Sequence, residues 1–204
     1  GFTVDVNGAI SAANITFNSG GWNIGDITAD GSLNLTGSPS NITVTNAADT
    51  DTISANIASG GFSKLGLGTL VLSGNNTFSG NVLVSAGILK IASATALGNI
   101  TGTTNVNGGT IVLAGGTTVT GETLNVSGSG ANNVGALQVE AGGNATWAGT
   151  INLDSGARVG AQSGGTLTIS GVIQNGTGNT LAIGETAGTG APGTVIISGT
   201  NNTY

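Results

Sequence analysis

FSKLGLGTLVLSGNNTFSGNVLVSAGILKI, residues 62–91, is the stretch whose reading decides the fold. Leu70 and Leu72 alternate with Thr69, Val71 and Ser73; Gly74-Asn75-Asn76 then interrupts, and the alternation resumes at Val82/Val84 and at Leu89/Ile91 after further glycine. Apolar residues at every second position put one face of an extended chain into a core, while Gly and Asn supply the turns between. The stretch reads strand, turn, strand, turn, strand.

The same alternation runs outward in both directions. Before it lie Val4/Val6, Ile15/Phe17, Trp22/Ile24, Leu33/Leu35, Ile42/Val44 and Ile53/Ile57, whose leading aliphatic positions, 4, 15, 24, 33, 42 and 53, are 9 to 11 residues apart. After it come Ile111/Leu113, Leu124/Val126, Leu137/Val139, Ile151/Leu153, Leu167/Ile169, Leu181/Ile183 and Val195/Ile197, at steps of 13 to 16. Several are announced by one recurring word, as in Gly109-Thr110-Ile111, Gly149-Thr150-Ile151, Gly165-Thr166-Leu167 and Gly193-Thr194-Val195. Regular steps mean a repeated unit, and a one-residue slip would turn every pair outward, so the buried face is specified. An all-β sandwich and a solenoid both accommodate such strands. Equal spacing favours the solenoid, because stacked coils set like residues over like and let Asn, Thr and Val form ladders. At about two strands per coil, the sixteen strand starts make about eight coils, a rod ~40 Å long at ~4.8 Å per coil. Leu70, Leu72, Ile111, Leu113, Leu167, Ile169, Val195 and Ile197 are expected to share one apolar column.

Composition agrees. The 204 residues include 39 Gly and only 6% charged residues, yet 38% are hydrophobic, mostly in the short alternating pairs that disordered chains lack. Two Pro and no helix-period segment leave an all-β chain. The net charge is −6 with three basic residues, Lys64, Lys90 and Arg158, too few to neutralise a phosphate backbone or an anionic membrane surface. Without Cys there are no disulfide staples, so stability must come from stacking. No stretch approaches the ~20 apolar residues of a membrane-spanning helix, so no membrane insertion by this segment is expected. A start at Gly1 reads as a processed or excised segment.

Residues 62–91 resemble the autotransporter-associated β-strand repeat of large bacterial surface passengers. The family pattern, Lys-x-Gly-x-Gly-Thr-Leu-x-Leu-Ser-Gly-x-Asn-Thr-aromatic-x-Gly and then Val-x-x-Gly-x-Leu, is filled by Lys64, Gly66, Gly68, Thr69, Leu70, Leu72, Ser73, Gly74, Asn76, Thr77, Phe78 and Gly80, then Val84, Gly87 and Leu89. Residues 193–204 resemble the start of a second, truncated copy, with Gly193-Thr194-Val195, Ser198-Gly199 and Asn202-Thr203-Tyr204 but no Lys-x-Gly lead-in. The resemblance implies a right-handed parallel β-helix, and with no linker or charge run the chain reads as one continuous segment over 1–204. It also implies an extracellular or cell-surface location.

Chemistry finds little footing. A Ser or Cys nucleophile lacks a base, since there is no His and no Cys, and Lys64 belongs to the structural motif. Nine carboxylates are dispersed; stacked coils can make Glu122 and Glu140 neighbours, but nothing in the spacing singles them out as the facing pair a glycosidase needs. Polysaccharide lyases share the architecture but need an acidic calcium cluster and a basic residue, and Arg158 has only Asp154 nearby in sequence. Asp49/Asp51 and Asp26/Asp30 supply oxygens only as two separate pairs of carboxylates, whereas Ca²⁺ takes six to eight in one site. No catalytic, cofactor or metal residue is assigned. Trp22 and Trp147 remain open for stacking on a sugar, whereas Phe78 and Tyr204, at one motif position, read as coil fillers.

The leading expectation is a structural, non-catalytic rod of a secreted bacterial surface protein, an adhesin stalk or passenger. Its partners would be neighbouring coils of the same or another copy, with host or matrix glycans the class left open and nucleic acid excluded. Two alternatives stand: a fibre subunit stacking end to end, and a β-helix that binds or cleaves carbohydrate through clustered acids, Arg158 and a Trp.

Overall fold

A computed structural model describes residues 1–175, 179–184 and 193–203. Tyr204 and Glu185 therefore lie outside the described residues. The alternating pairs become short strands, 23 of them among the described residues, and all registered pairings are parallel. The chain is a parallel β-solenoid of about eight coils.

Each coil visits three walls in the same order. The first wall stacks Phe2–Asp5, Trp22–Gly25, Thr50–Ile53, Thr69–Leu72, Ile88–Ile91, Thr110–Leu113 and Leu137–Val139, then the end of Ile151–Ala161 and Leu181–Ile183. The third wall stacks Asn14–Phe17, Ser40–Val44, Phe62–Leu65, Val82–Val84, Thr103–Asn107 and Thr123–Gly128, then the start of Ile151–Ala161 and Ile173–Asn175. Between them lies the second wall, made of Ala9–Ala12, Ser32–Leu35 and Asn56–Ser59 low in the rod. Higher up it is made of Thr118–Val119, Asn144–Trp147, Thr166–Ile169 and Thr194–Ile197.

Three walls replace the expected two strands per coil. The coil number survives because the missed strands and the missing wall offset one another. The step is also uneven: Thr50, Thr69 and Ile88 stack at 19 residues, whereas Asn23 lies under Thr52 at 29. Corners absorb the difference, so the strand register is kept. Ile53 and Ile57 are split by one such corner and sit on different walls.

The core is the sum of the inward columns. On the first wall, Ile53, Leu72, Ile91, Leu113 and Val139 lie one over another, all with no exposure. Leu167 and Ile169 are equally buried but belong to the second wall, below Val195 and Ile197. The single shared column is thus corrected: its eight residues enter one common core from two walls. Uneven steps mean that a separation of some 125 residues does not return the chain to the same wall.

Candidate functional site

The signature stretch is the part of the rod whose local chemistry is most specific, and it sits where the second wall has no strand. In the two coils beginning at Thr69 and Ile88, residues 73–81 and 92–102 cross that wall without ladder pairing. Backbone groups taken out of water without partners cost free energy, so something must bond them. Asn76, 3% exposed, does so. Its Oδ1 accepts the Ile57 N–H at 2.8 Å from the coil below, and its Nδ2 donates to the Ala96 carbonyl at 2.6 Å in the coil above. One amide imitates both edges of a strand. The Thr77 and Phe78 N–H groups both bond the Ile57 carbonyl, completing the stitch. Phe78 then fills the hole left by the missing strand, edge-on to Phe62 with ring centroids 5.9 Å apart.

Lys64 is the second such device. It faces inward between Ile42 and Val84 and is fully buried. Its Nζ donates to the carbonyls of Leu65 at 2.8 Å, Gly66 at 3.0 Å and Ala86 at 3.2 Å, tying the corner of one coil to that of the next. Burial disfavours the charged ammonium and brings its pKa down to about 8. Gly66 and Gly87 shape these corners with positive φ of 73° and 62°. A Cβ on Gly66 would come 2.1 Å from the Val44 carbonyl oxygen. Gly68, Gly74 and Gly80 likewise leave no room, since an added Cβ would lie 2.4–2.5 Å from backbone of the coil below. Leu70 and Leu72 are buried in the first-wall core beside half-buried Thr69.

The later copy uses the same bond at another place. Asn202 Oδ1 accepts the Ile173 N–H at 2.8 Å, as Asn76 does for Ile57. Its preceding strand, Thr194–Ile197, is on the second wall, so the arrangement is turned by one wall relative to the first.

The candidate catalytic groups are not assembled. Glu140 pairs with Lys90 at 2.6 Å and accepts the Gly115 N–H, and both hold its carboxyl below the usual range. Glu122 is buried elsewhere, accepting the Thr104 hydroxyl at 2.7 Å; burial raises its pKa to about 7 against the pull of that hydrogen bond. Arg158 donates to the Asn133 carbonyl at 3.1 Å. Asp26 accepts the N–H groups of Asp30 and Gly31 in a turn, while buried Asp51 accepts the Trp22 N–H at 2.9 Å. Among the described residues, no group of three or more His, Asp or Glu could hold a metal, and no helix is long and apolar enough to cross a membrane. Trp147 is fully buried as a filler of the second wall, which removes it from any sugar-stacking surface. Trp22 is half-buried, stacked at 5.0 Å on Phe2 with its indole N–H on Ser19.

A three-walled parallel solenoid stitched by buried side chains defines a repeat protein whose strands are its building units. The family model for the passenger-associated-transport-repeat matches residues 62–91, the stretch held by Lys64 and Asn76. Residues 62–91 are therefore a passenger repeat of the kind found in secreted or surface-exposed bacterial passengers. No curated protein and no solved structure gives a significant match.

Proposed function

We propose that this chain is a non-catalytic spacer rod of a bacterial cell-surface protein, holding adhesive regions away from the outer membrane. The observation that supports the reading is the use of the most specific side chains, Lys64 and Asn76, for joining coil to coil. Both side chains are buried and held to neighbouring coils, so neither is presented to a substrate. The run 193–204 is, in the same reading, the opening of a further repeat. The test is direct: purified protein should cleave no polysaccharide or peptide, with or without Ca²⁺, and small-angle scattering should give a rod. Polysaccharide cleavage that disappears on Arg158→Ala or Glu140→Gln would overturn it.

A further inference from the structure

The outward face of the third wall carries one column free of ionisable groups. Asn41, Ser63, Leu83, Asn105, Asn125 and Asn152 stand one above another on successive coils. The upper three amides are joined end to end. Asn125 Nδ2 donates to Asn105 Oδ1 at 2.7 Å, and Asn152 Nδ2 donates to Asn125 Oδ1 at 2.7 Å. An amide bonded once as donor and once as acceptor keeps one N–H and one lone pair, here fixed in orientation by its neighbours. Lower down the column changes character. Leu83 is 37% exposed, and a groove of about 480 Å³ opens around it, between Ser38-Pro39 on one side and Asn81 and Asn105 on the other. Asn81 Oδ1 already accepts the Thr103 N–H at 3.0 Å, which leaves its amide NH₂ for an outside partner.

We propose that this groove and the amide column above it bind an extended neutral polysaccharide. Successive coils rise by ~4.8 Å, close to the length of one pyranose unit, so a glycan lying along the rod meets an equivalent position at each coil. Fixed amides present donor and acceptor together, the pairing that vicinal sugar hydroxyls satisfy. Leu83 and Pro39 offer an apolar patch to the C–H face of a ring, an interaction that a wholly polar face lacks. The lining, Gly37, Ser38, Pro39, Ser63, Leu83 and Asn105 among it, has no cation to neutralise a sulfated or uronate chain, which excludes acidic glycans. Capture of a peptide by strand addition needs a free sheet edge. Every third-wall strand from Ser40–Val44 to Thr123–Gly128 is instead paired on both sides.

The test is titration calorimetry of the purified chain with oligosaccharides of β-glucan, chitin, xylan, mannan and α-glucan, and with a hyaluronan oligosaccharide as the acidic comparison. At least one neutral probe should bind and hyaluronan should not. Leu83→Glu, an outward change that leaves the core intact, and Asn105→Ala should each weaken binding at least ~tenfold, about 1.4 kcal/mol. Lys90→Ala, on the first wall, should not weaken it. Circular dichroism reports whether each variant is folded; if Asn105→Ala is not, Leu83→Glu decides alone. No binding by any neutral probe at millimolar concentration, equal binding of hyaluronan, or binding indifferent to Leu83→Glu would overturn the proposal. None of these outcomes bears on the spacer reading, which rests on scattering and the absence of cleavage.

Discussion

The second wall is built in two ways, and the contrast separates what strands do from what side chains do. In the coils opening at Thr110 and Leu137, and in the one above them, it is an ordinary parallel ladder, with Val119, Trp147 and Ile169 stacked inward. In the coils opening at Thr69 and Ile88 it has no ladder, and Asn76 and Phe78 supply the hydrogen bonds and the volume respectively. A coil therefore needs its inner space filled and its backbone bonded, but not by a strand on every side.

Filling should matter most. Phe78→Ala and Trp147→Ala each remove a fully buried ring from the same wall, one with a ladder around it and one without. Each should cost about 3–5 kcal/mol in chemical denaturation. Trp147→Ala should approach the upper figure if the ladder holds its backbone in place, because a rigid wall cannot collapse into the cavity, and equal losses would show that the ladder adds no rigidity. Asn76→Ala should come next, since it orphans the Ile57 N–H and the Ala96 carbonyl at about 1–3 kcal/mol for each group. Hydrogen exchange should show the Ile57 amide losing protection in that variant while the Trp147 amide keeps its own.

The pH dependence is smaller and sharpens the comparison, because Glu122 lies in a laddered coil whereas Lys64, from the coil just below, ties onto the first stitched one. Glu122 titrates higher folded, at about 7, than its ordinary value of 4.5, so the folded chain holds the extra proton. Its contribution is full below about 4.5 and is lost as pH rises through about 7. Lys64 titrates lower folded, at about 8, than its ordinary value of 10.5, so the unfolded chain binds more protons between these values and stability rises with pH there. Thermal melting should show a minimum between about 7 and 8; Glu122→Gln should flatten the acidic limb and Lys64→Met the alkaline one. A minimum that survives both changes would refute the assignment. Smallest is the surface pair: Lys90→Ala should cost about 0.2–1 kcal/mol and be masked by salt.

Which strands were legible follows from what faces inward. Leu70/Leu72, Ile111/Leu113 and Leu124/Val126 are visible because both inward residues are branched aliphatics. Thr103–Asn107 turns Thr104 and Val106 inward, Phe62–Leu65 turns Lys64 inward, and Asn144–Trp147 pairs Ala145 with Trp147. A buried threonine, lysine or alanine breaks the apolar alternation, so these strands read as spacers and each coil was given two strands rather than three. The reverse holds for the stitched coils. Asn76 and Phe78 were conspicuous as part of a word, but the amide's two bonds reach residues 19 and 20 positions away, which no local pattern encodes. The Asn105–Asn125–Asn152 chain was invisible for the same reason: its members are separated by 20 and 27 residues, and only the uneven step of the coils brings them together.

The 19-residue stacking of Thr50, Thr69 and Ile88 has a genetic consequence. Removing residues 50–68 places Thr69 where Thr50 stood, with the same inward and outward faces, so the excision leaves no seam in the first wall. Unequal recombination within the gene can therefore lengthen or shorten the product by whole coils while every remaining residue keeps its orientation. Length becomes a heritable quantity that varies in discrete increments of ~4.8 Å, independent of what the outer face has evolved to hold.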